Sequence, residues 1–426
     1  MVTSVATSGS IQGRRIFYLI FATATLLVLG LIYAWSIFAR PIGTTYSEYG
    51  PMLSQVFQVS MFVFCVSAIL GSQIFKKISP RAAVIVAAVL LGVGFVLTAF
   101  CASWGIWTLF VFYGLIAASG CGIGYNAIIA LVGPWFPDKT GLCSGVMMMG
   151  FGISSLVFGS LANAAFAIID WSVVFIIIAI VGVVIMLALA CVVRPAPVDI
   201  ARQLGMQGMA VATKESPVKN QGILGTKVFW LYSVWATLVI ACGLALIGSA
   251  AQGAGALGFD ASFSALLVGL VSTMNGVGRV LNGALFDRFG LVFVMRLSAL
   301  LAILTMAGLS IAFLMEGAGI SPVLYVVAGI LVACPYGSVP VMAAAYSRQR
   351  YKISDFSKNL GIANCNIASA ATLNIIISAI LGAPHAGNGV AIYAVLGVCA
   401  VIALLSLFFF EKVYRSDLAR ISEELQ

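Results

Sequence analysis

The sequence predicts an all-α membrane protein of twelve transmembrane helices in two six-helix bundles. Three observations carry that expectation. Hydrophobic residues fill 62% of the 426 positions and charged residues only 8%, against about a quarter charged in soluble domains; mean hydropathy is +1.13. The apolar residues come in long runs rather than short alternating ones. In lipid, such runs mean helices that satisfy their own backbone groups, not a barrel. Finally, the longest polar stretch, 194–227, follows the sixth run and leaves six on either side. It divides the chain into an N-terminal bundle (1–193), a linker (194–227) and a C-terminal bundle (228–426), the arrangement of two repeats about an axis along the membrane normal.

In chain order, the first run (15–40) follows a polar start and Arg14-Arg15, and is too long for a signal-peptide core. The second (52–74) ends in the basic turn "GSQIFKKISPR", before the third (82–101). The fourth (106–134) contains the glycine-rich "SGCGIGYN" and the fifth (141–167) contains "SGVMMMGFG". No strand precedes the former, so it is not a nucleotide fingerprint; small residues in both runs suit close helix packing. The sixth (171–193) precedes the linker, and the seventh (228–250) opens the second half. The eighth (261–285) holds Arg279 and leads through "GALFDRFG" into the ninth (291–314). The tenth (322–346) carries Pro335 and Pro340, the eleventh (355–383) carries "NLGIANCNIASAATLN", and the twelfth (389–410) closes the set.

Basic residues predict the orientation. With both termini cytoplasmic, outer loops hold only Arg40 together with Glu48, Asp170, Asp260 and Glu316, while the other loop lysines and arginines fall inside. The net charge of +9 then describes a cytoplasmic skirt on a lipid bilayer, not a nucleic-acid surface. The nine cysteines fall in predicted spans without metal-ligand spacing. No metal, disulfide or cofactor is expected, and no set of nucleophile, base and metal ligands points to an enzyme.

Arg279 poses the chemical question, since a cation in a helix centre costs about 2.5–3.5 kcal/mol on insertion scales. No acid falls in the middle of a predicted span. One reading makes the transported anion the partner, a carboxylate held through two charge-assisted hydrogen bonds. The other has Arg279 snorkelling to the boundary or pairing with Asp287. Ser272, Asn275 and Gly276 share its helix face, and Asn275 is placed to orient the guanidinium or to bond a substrate hydroxyl. Further substrate-binding candidates are Tyr336 between its two prolines, Asn364 and Cys365 in the eleventh run, and Tyr33 and Tyr113 in the first half; packing is the alternative for each. His385, the only histidine, and Asp260 are outer candidates for proton coupling, alongside Arg279.

"GALFDRFG" matches the G-x-x-x-D-[RK]-x-G turn of the major facilitator superfamily at Gly283, Asp287, Arg288 and Gly290. The equivalent first-half turn departs from it, with Phe75 or Lys76 at the acidic position. "WFPDKTGLCSG" (135–145) and "YAWSIF" (33–38), with the eighth-run arginine, resemble the oxalate/formate antiporter and monocarboxylate porter branch, above all its bacterial lactate-type members. The resemblance implies the major facilitator fold, alternating access with the turn motif as a gate, and a substrate-binding arginine at Arg279. It implies a secondary transporter of small monocarboxylates such as L-lactate or pyruvate, coupled to protons, in a bacterial inner membrane and working as a monomer. Two departures stand out: the aspartate linked to proton coupling is Asn275, and the eleventh-run lysine of oxalate exchangers has no counterpart in the neutral 359–374 stretch. Anion exchange is the alternative mechanism, and a carboxylate receptor without flux the remote one.

Overall fold

The computed structural model describes residues 2–35, 37–38, 41–42, 50–74, 78–204, 222–351, 355–381 and 388–423. Twelve long helical segments fill the places of the twelve runs. We number them α1 (Val2–Leu29, continued by a 3₁₀ turn Gly30–Ala34), α2 (Gly50–Ile74), α3 (Pro80–Ala99), α4 (π-helical Phe110–Ala117, then Ala118–Val132), α5 (Thr140–Ser154, a π turn Ser155–Gly159, then Ser160–Ala165) and α6 (Trp171–Val192). The second half contains α7 (Lys227–Ala256), α8 (Ala261–Phe289), α9 (Leu291–Leu314), α10 (Ser321–Arg350), α11 (Phe356–Asn364 and Asn366–Leu381) and α12 (Gly389–Glu423). Among the described residues, ten helices are long and apolar enough to cross a membrane; α2 and α8 supply the two remaining places by length.

The polar start expected before the first span is helical from Val2. The last helix runs to Glu423, thirteen residues past the predicted 410. There Glu411 pairs with Arg296 of α9, and Asp417 with Arg350 at the end of α10. These partners, far apart in sequence, hold the polar extension in place.

Two compact units form: Met1–Val211 with Ile353–Ile362, and Ala212–Lys352 with Ala363–Gln426. In unit 1, α3 packs on α6 and α4, α2 on α4, and α1 on α5. Glycines bring these helices together: a Cβ on Gly122 would stand 2.2 Å from the Phe64 carbonyl oxygen, and one on Gly150 2.3 Å from that of Thr23. In unit 2, α10 packs on both α8 and α9, and α12 on α7 and α9.

Side-chain caps set several helix starts. Ser79 accepts from the Ala82 N–H ahead of Pro80, Asp170 from the Ser172 N–H at 2.8 Å, and Asp260 from the Phe263 N–H at 2.7 Å. Two of the four acids placed in outer loops are thus N-caps, where a carboxylate answers orphan backbone donors. The Ser172 hydroxyl and N–H together hold the Asp170 carboxyl below its usual range. That contribution is complete at neutral pH and fades as pH falls through the lowered value.

Gly290 closes α8 at φ +81°, ψ 178°, donating its N–H to the Phe286 carbonyl at 2.8 Å. This backbone region is nearly exclusive to glycine, so Gly290→Ala is expected to destabilise the protein by about 1–3 kcal/mol. Thermal unfolding of the detergent-purified variant tests this; an unchanged Tm would show that the turn relaxes without cost.

Candidate functional site

The site grows from one helix crossing in unit 2. Gly278 of α8 and Gly337 of α10 let the two backbones meet. A Cβ on Gly278 would lie 2.8 Å from the Cys334 Cα, and one on Gly337 would lie 2.6 Å from the Asn275 carbonyl oxygen and 3.1 Å from the Arg279 nitrogen. Asn282 fastens the crossing, its Nδ2 donating to the Gly278 carbonyl at 2.7 Å and across to the Cys334 carbonyl at 3.0 Å. The sequence reading missed Asn282. Its only signal was that it continues the helix face of Asn275 and Arg279 at spacings of three and four.

On this frame Arg279 is 2% exposed and Asn275 7%. The Arg279 Cγ lies 3.3 Å from the place a Gly337 Cβ would take, so its stem runs along α10. Tyr336, next to Gly337, is buried and faces α7, where a Cβ on Gly243 would meet its ring carbons at 2.9 Å. Pro335 and Pro340 lie inside the helix and supply no N–H to the carbonyls one turn earlier; Ser338 donates its hydroxyl to the Pro335 carbonyl at 2.7 Å. Arg279, Asn275 and Tyr336 are therefore brought to one crossing, while Ser272 is half-buried nearly two turns earlier on α8.

The remaining candidates are placed differently. Asn364 is buried and Cys365 half-buried where α11 breaks into its two segments; Asn366 donates to the Ala363 carbonyl at that break. Tyr113, buried in unit 1, gives its hydroxyl to the Ile32 carbonyl at 3.2 Å and packs on Trp35. This bond serves the carbonyl of a 3₁₀ turn. Tyr33, half-buried, stands edge-on to Phe151, with Tyr125 and Phe64 in the same cluster. In the turn motif Gly283 is buried and Asp287 and Arg288 are exposed, with Arg288 over the Phe289 ring. Asp260 is the exposed cap of α8, and His385 lies outside the described residues.

Arg279 is not alone in its burial, a point the sequence reading did not anticipate. Arg15 and Arg350 are also almost fully buried, each paired with an aspartate and set over a ring: Asp138 and Phe136 for Arg15, Asp417 and Tyr414 for Arg350. Arg15 lies mid-way along α1 and Arg350 is the last residue of α10; both pairs tie distant segments together. Arg279 lies within α8, more than two turns from its end.

The chain matches the Major Facilitator Superfamily over residues 15–352. It belongs to that family. These are membrane transporters rather than enzymes, and this chain is accordingly an integral membrane secondary transporter. Among curated proteins it is 23% identical to the uncharacterised MFS-type transporter YhjX of Escherichia coli, over 84% of this chain and 85% of that one. It is 24% identical to the oxalate:formate antiporter of Oxalobacter formigenes over 66% of each. Monocarboxylate transporter 13 of Rattus norvegicus is 25% identical over 32% of this chain and 31% of its own. Among solved structures, the proton:xylose symporter XylE superposes with a TM-score of 0.75 at 17% identity, covering 94% of this chain and 96% of that one. The Escherichia coli fucose:proton symporter FucP gives 0.60 at 15% identity, over 93% and 99%. These superpositions show the fold.

Since Gly337 has no room for a side chain against the Asn275 carbonyl, Gly337→Val is expected to force α8 and α10 apart at a cost of about 1–3 kcal/mol. Asn282→Ala is expected to cost about 1 kcal/mol through the lost cross-helix bond. Thermal unfolding of the two variants checks both, and a Gly337→Val protein as stable as the parent would contradict the crossing described.

Proposed function

We propose that the chain transports small monocarboxylates, L-lactate or pyruvate among them, by alternating access of its two bundles with proton symport. The observation that carries this reading is the burial of Arg279 at the α8–α10 crossing, with Asn275 one turn away. A guanidinium in that setting binds a carboxylate through two parallel N–H···O bonds, strengthened by the low surrounding dielectric. One guanidinium at this crossing suits one carboxylate. We assign Tyr336, buried at the same crossing, to the short carbon chain of the substrate. The oxalate:formate antiporter and monocarboxylate transporters among the relatives support a carboxylate.

An uncompensated anion moving through ~100 mV involves ~2.3 kcal/mol, which a co-transported proton removes. Asn275 offers no carboxyl for that proton. Asp260 already caps α8, so the proton travels on the substrate carboxylate or through a residue such as His385. Exchange for a second monoanion meets the same electrical requirement, and the antiporter relative favours it as the second reading. We place both termini on the cytoplasmic side of a bacterial inner membrane, on the distribution of basic residues, with the monomer as the working unit and the Asp287-Arg288 turn as part of the gate.

Uptake of labelled L-lactate into proteoliposomes tests the proposal. Accumulation in empty vesicles driven by an inward proton gradient is the expected result; uptake only after preloading with unlabelled carboxylate would replace symport by exchange. Arg279→Lys, which keeps the charge and loses the planar fork, is expected to lower transport at least 100-fold with normal insertion. Parental transport by that variant would reject the bidentate site.

A further inference from the structure

We propose that Asn275 is a specificity-determining residue that makes the Arg279 site prefer 2-hydroxycarboxylates over 2-oxo and unsubstituted monocarboxylates. The inference rests on the carboxylate reading of Arg279 and adds what the neighbouring carbon must carry.

The starting point is an acceptor without a donor. Asn275 Oδ1 is buried and receives no hydrogen bond among the described residues, and the residue as a whole is 7% exposed. Buried amide oxygens are nearly always bonded, and one left open penalises the empty state until a donor reaches it. Packing does not require an amide there: leucine has a similar volume, no polar atom and better helix propensity. The contrast within the same helix is direct. Asn282, two turns on, spends its amide across the α10 interface on the Cys334 carbonyl, whereas the Asn275 oxygen makes no such tie.

Position identifies the donor. Asn275 and Arg279 are four residues apart on one face of α8, about 6 Å along the axis, and the same residue of α10, Gly337, lies against both. Long helical side chains lean toward the N-terminus of their helix, which carries the guanidinium toward Asn275. A carboxylate held by Arg279 has only acceptor oxygens, so it cannot satisfy Oδ1 itself. The nearest group that can donate is a hydroxyl on the adjacent carbon. With the amide oriented as it is here, a 2-oxo group would set lone pairs against lone pairs, and a plain methylene would leave Oδ1 unbonded. The second carboxylate of oxalate would add negative charge facing an acceptor. An ammonium on the same carbon donates too, but it would bring a second positive charge beside the guanidinium.

Equilibrium binding to the detergent-purified full chain tests this, by calorimetric titration with sodium glycolate, L-lactate, pyruvate and propionate, and with L-alanine. Glycolate and L-lactate are expected to bind about tenfold or more tightly than pyruvate and propionate, as a site built to bond a hydroxyl discriminates against analogues lacking it. In Asn275→Leu the hydroxy-to-oxo ratio is expected to fall to within twofold, with propionate binding at least as well as to the parent. Because the measure is a ratio within one protein, a change in folded yield does not mimic it. Should the leucine variant not fold, Asn275→Ala gives the same readout. Equal binding of lactate and pyruvate to the parent, an undiminished ratio in the variant, or tighter binding of L-alanine would overturn the assignment of Asn275. If Arg279→Gln abolishes binding in those cases, the carboxylate site itself stands. Absence of binding by every carboxylate would overturn both.

Discussion

The close approach of α8 and α10 is the constraint on which the rest of unit 2 depends. A bilayer gives helices no hydrophobic drive to associate, so contact rests on shape and on bonds between helices. Here Gly278 and Gly337 remove the side chains that would hold the backbones apart, and Asn282 supplies the bond. The same contact buries Arg279 and Asn275 beside Gly337 and turns Tyr336 toward α7. A charge that is costly in lipid is thereby enclosed by protein.

Three arginines are buried among the described residues: Arg15, Arg279 and Arg350. Arg15 and Arg350 join distant segments, 123 and 67 residues away in sequence, and each has an aspartate and an aromatic face. Such pairs fix geometry more than they add stability, because desolvation offsets much of the attraction. They stand where α1 meets the α4–α5 turn and where α10 meets α12, so each holds a unit together at one end. Arg279 lies inside α8 on the face toward α10, with the amide of Asn275 one turn away. That setting is the one on which the proposed carboxylate site rests.

Unit 1 is organised around buried aromatic side chains. Its aromatic cluster of Tyr33, Phe64, Tyr125 and Phe151 is held by glycine contacts between helices, and its Tyr113 is committed to the backbone of the α1 3₁₀ turn. The π-helical stretches of α4 and α5 interrupt regular geometry in two helices of this unit. Backbone irregularities of this kind often mark places where a helix serves function as well as span.

Much of the architecture was legible from residues alone, because lipid forces every long apolar run into a helix. The twelve runs, the polar stretch between the sixth and seventh and the tight turn Gly283–Gly290 follow from local rules of hydropathy and turn chemistry; Asp170 and Asp260 were legible only as outer-loop acids, and their capping roles came with the structure. Arg279 was conspicuous for the same reason: one charge in an apolar run needs no structure to be noticed. Local rules could not reveal which carbonyl Asn282 would reach, that Gly337 would press on Asn275, or that Tyr113 would be spent on Ile32. Nor could they show that Arg15 and Arg350 would find aspartates so far along the chain, or that α11 would break beside Asn364. Each of these depends on which helix faces which, and the period of a single helix specifies its faces without naming its neighbour. Sequence therefore determined the spans and the charge; tertiary packing decided which amide was spent on structure and which was left open beside Arg279.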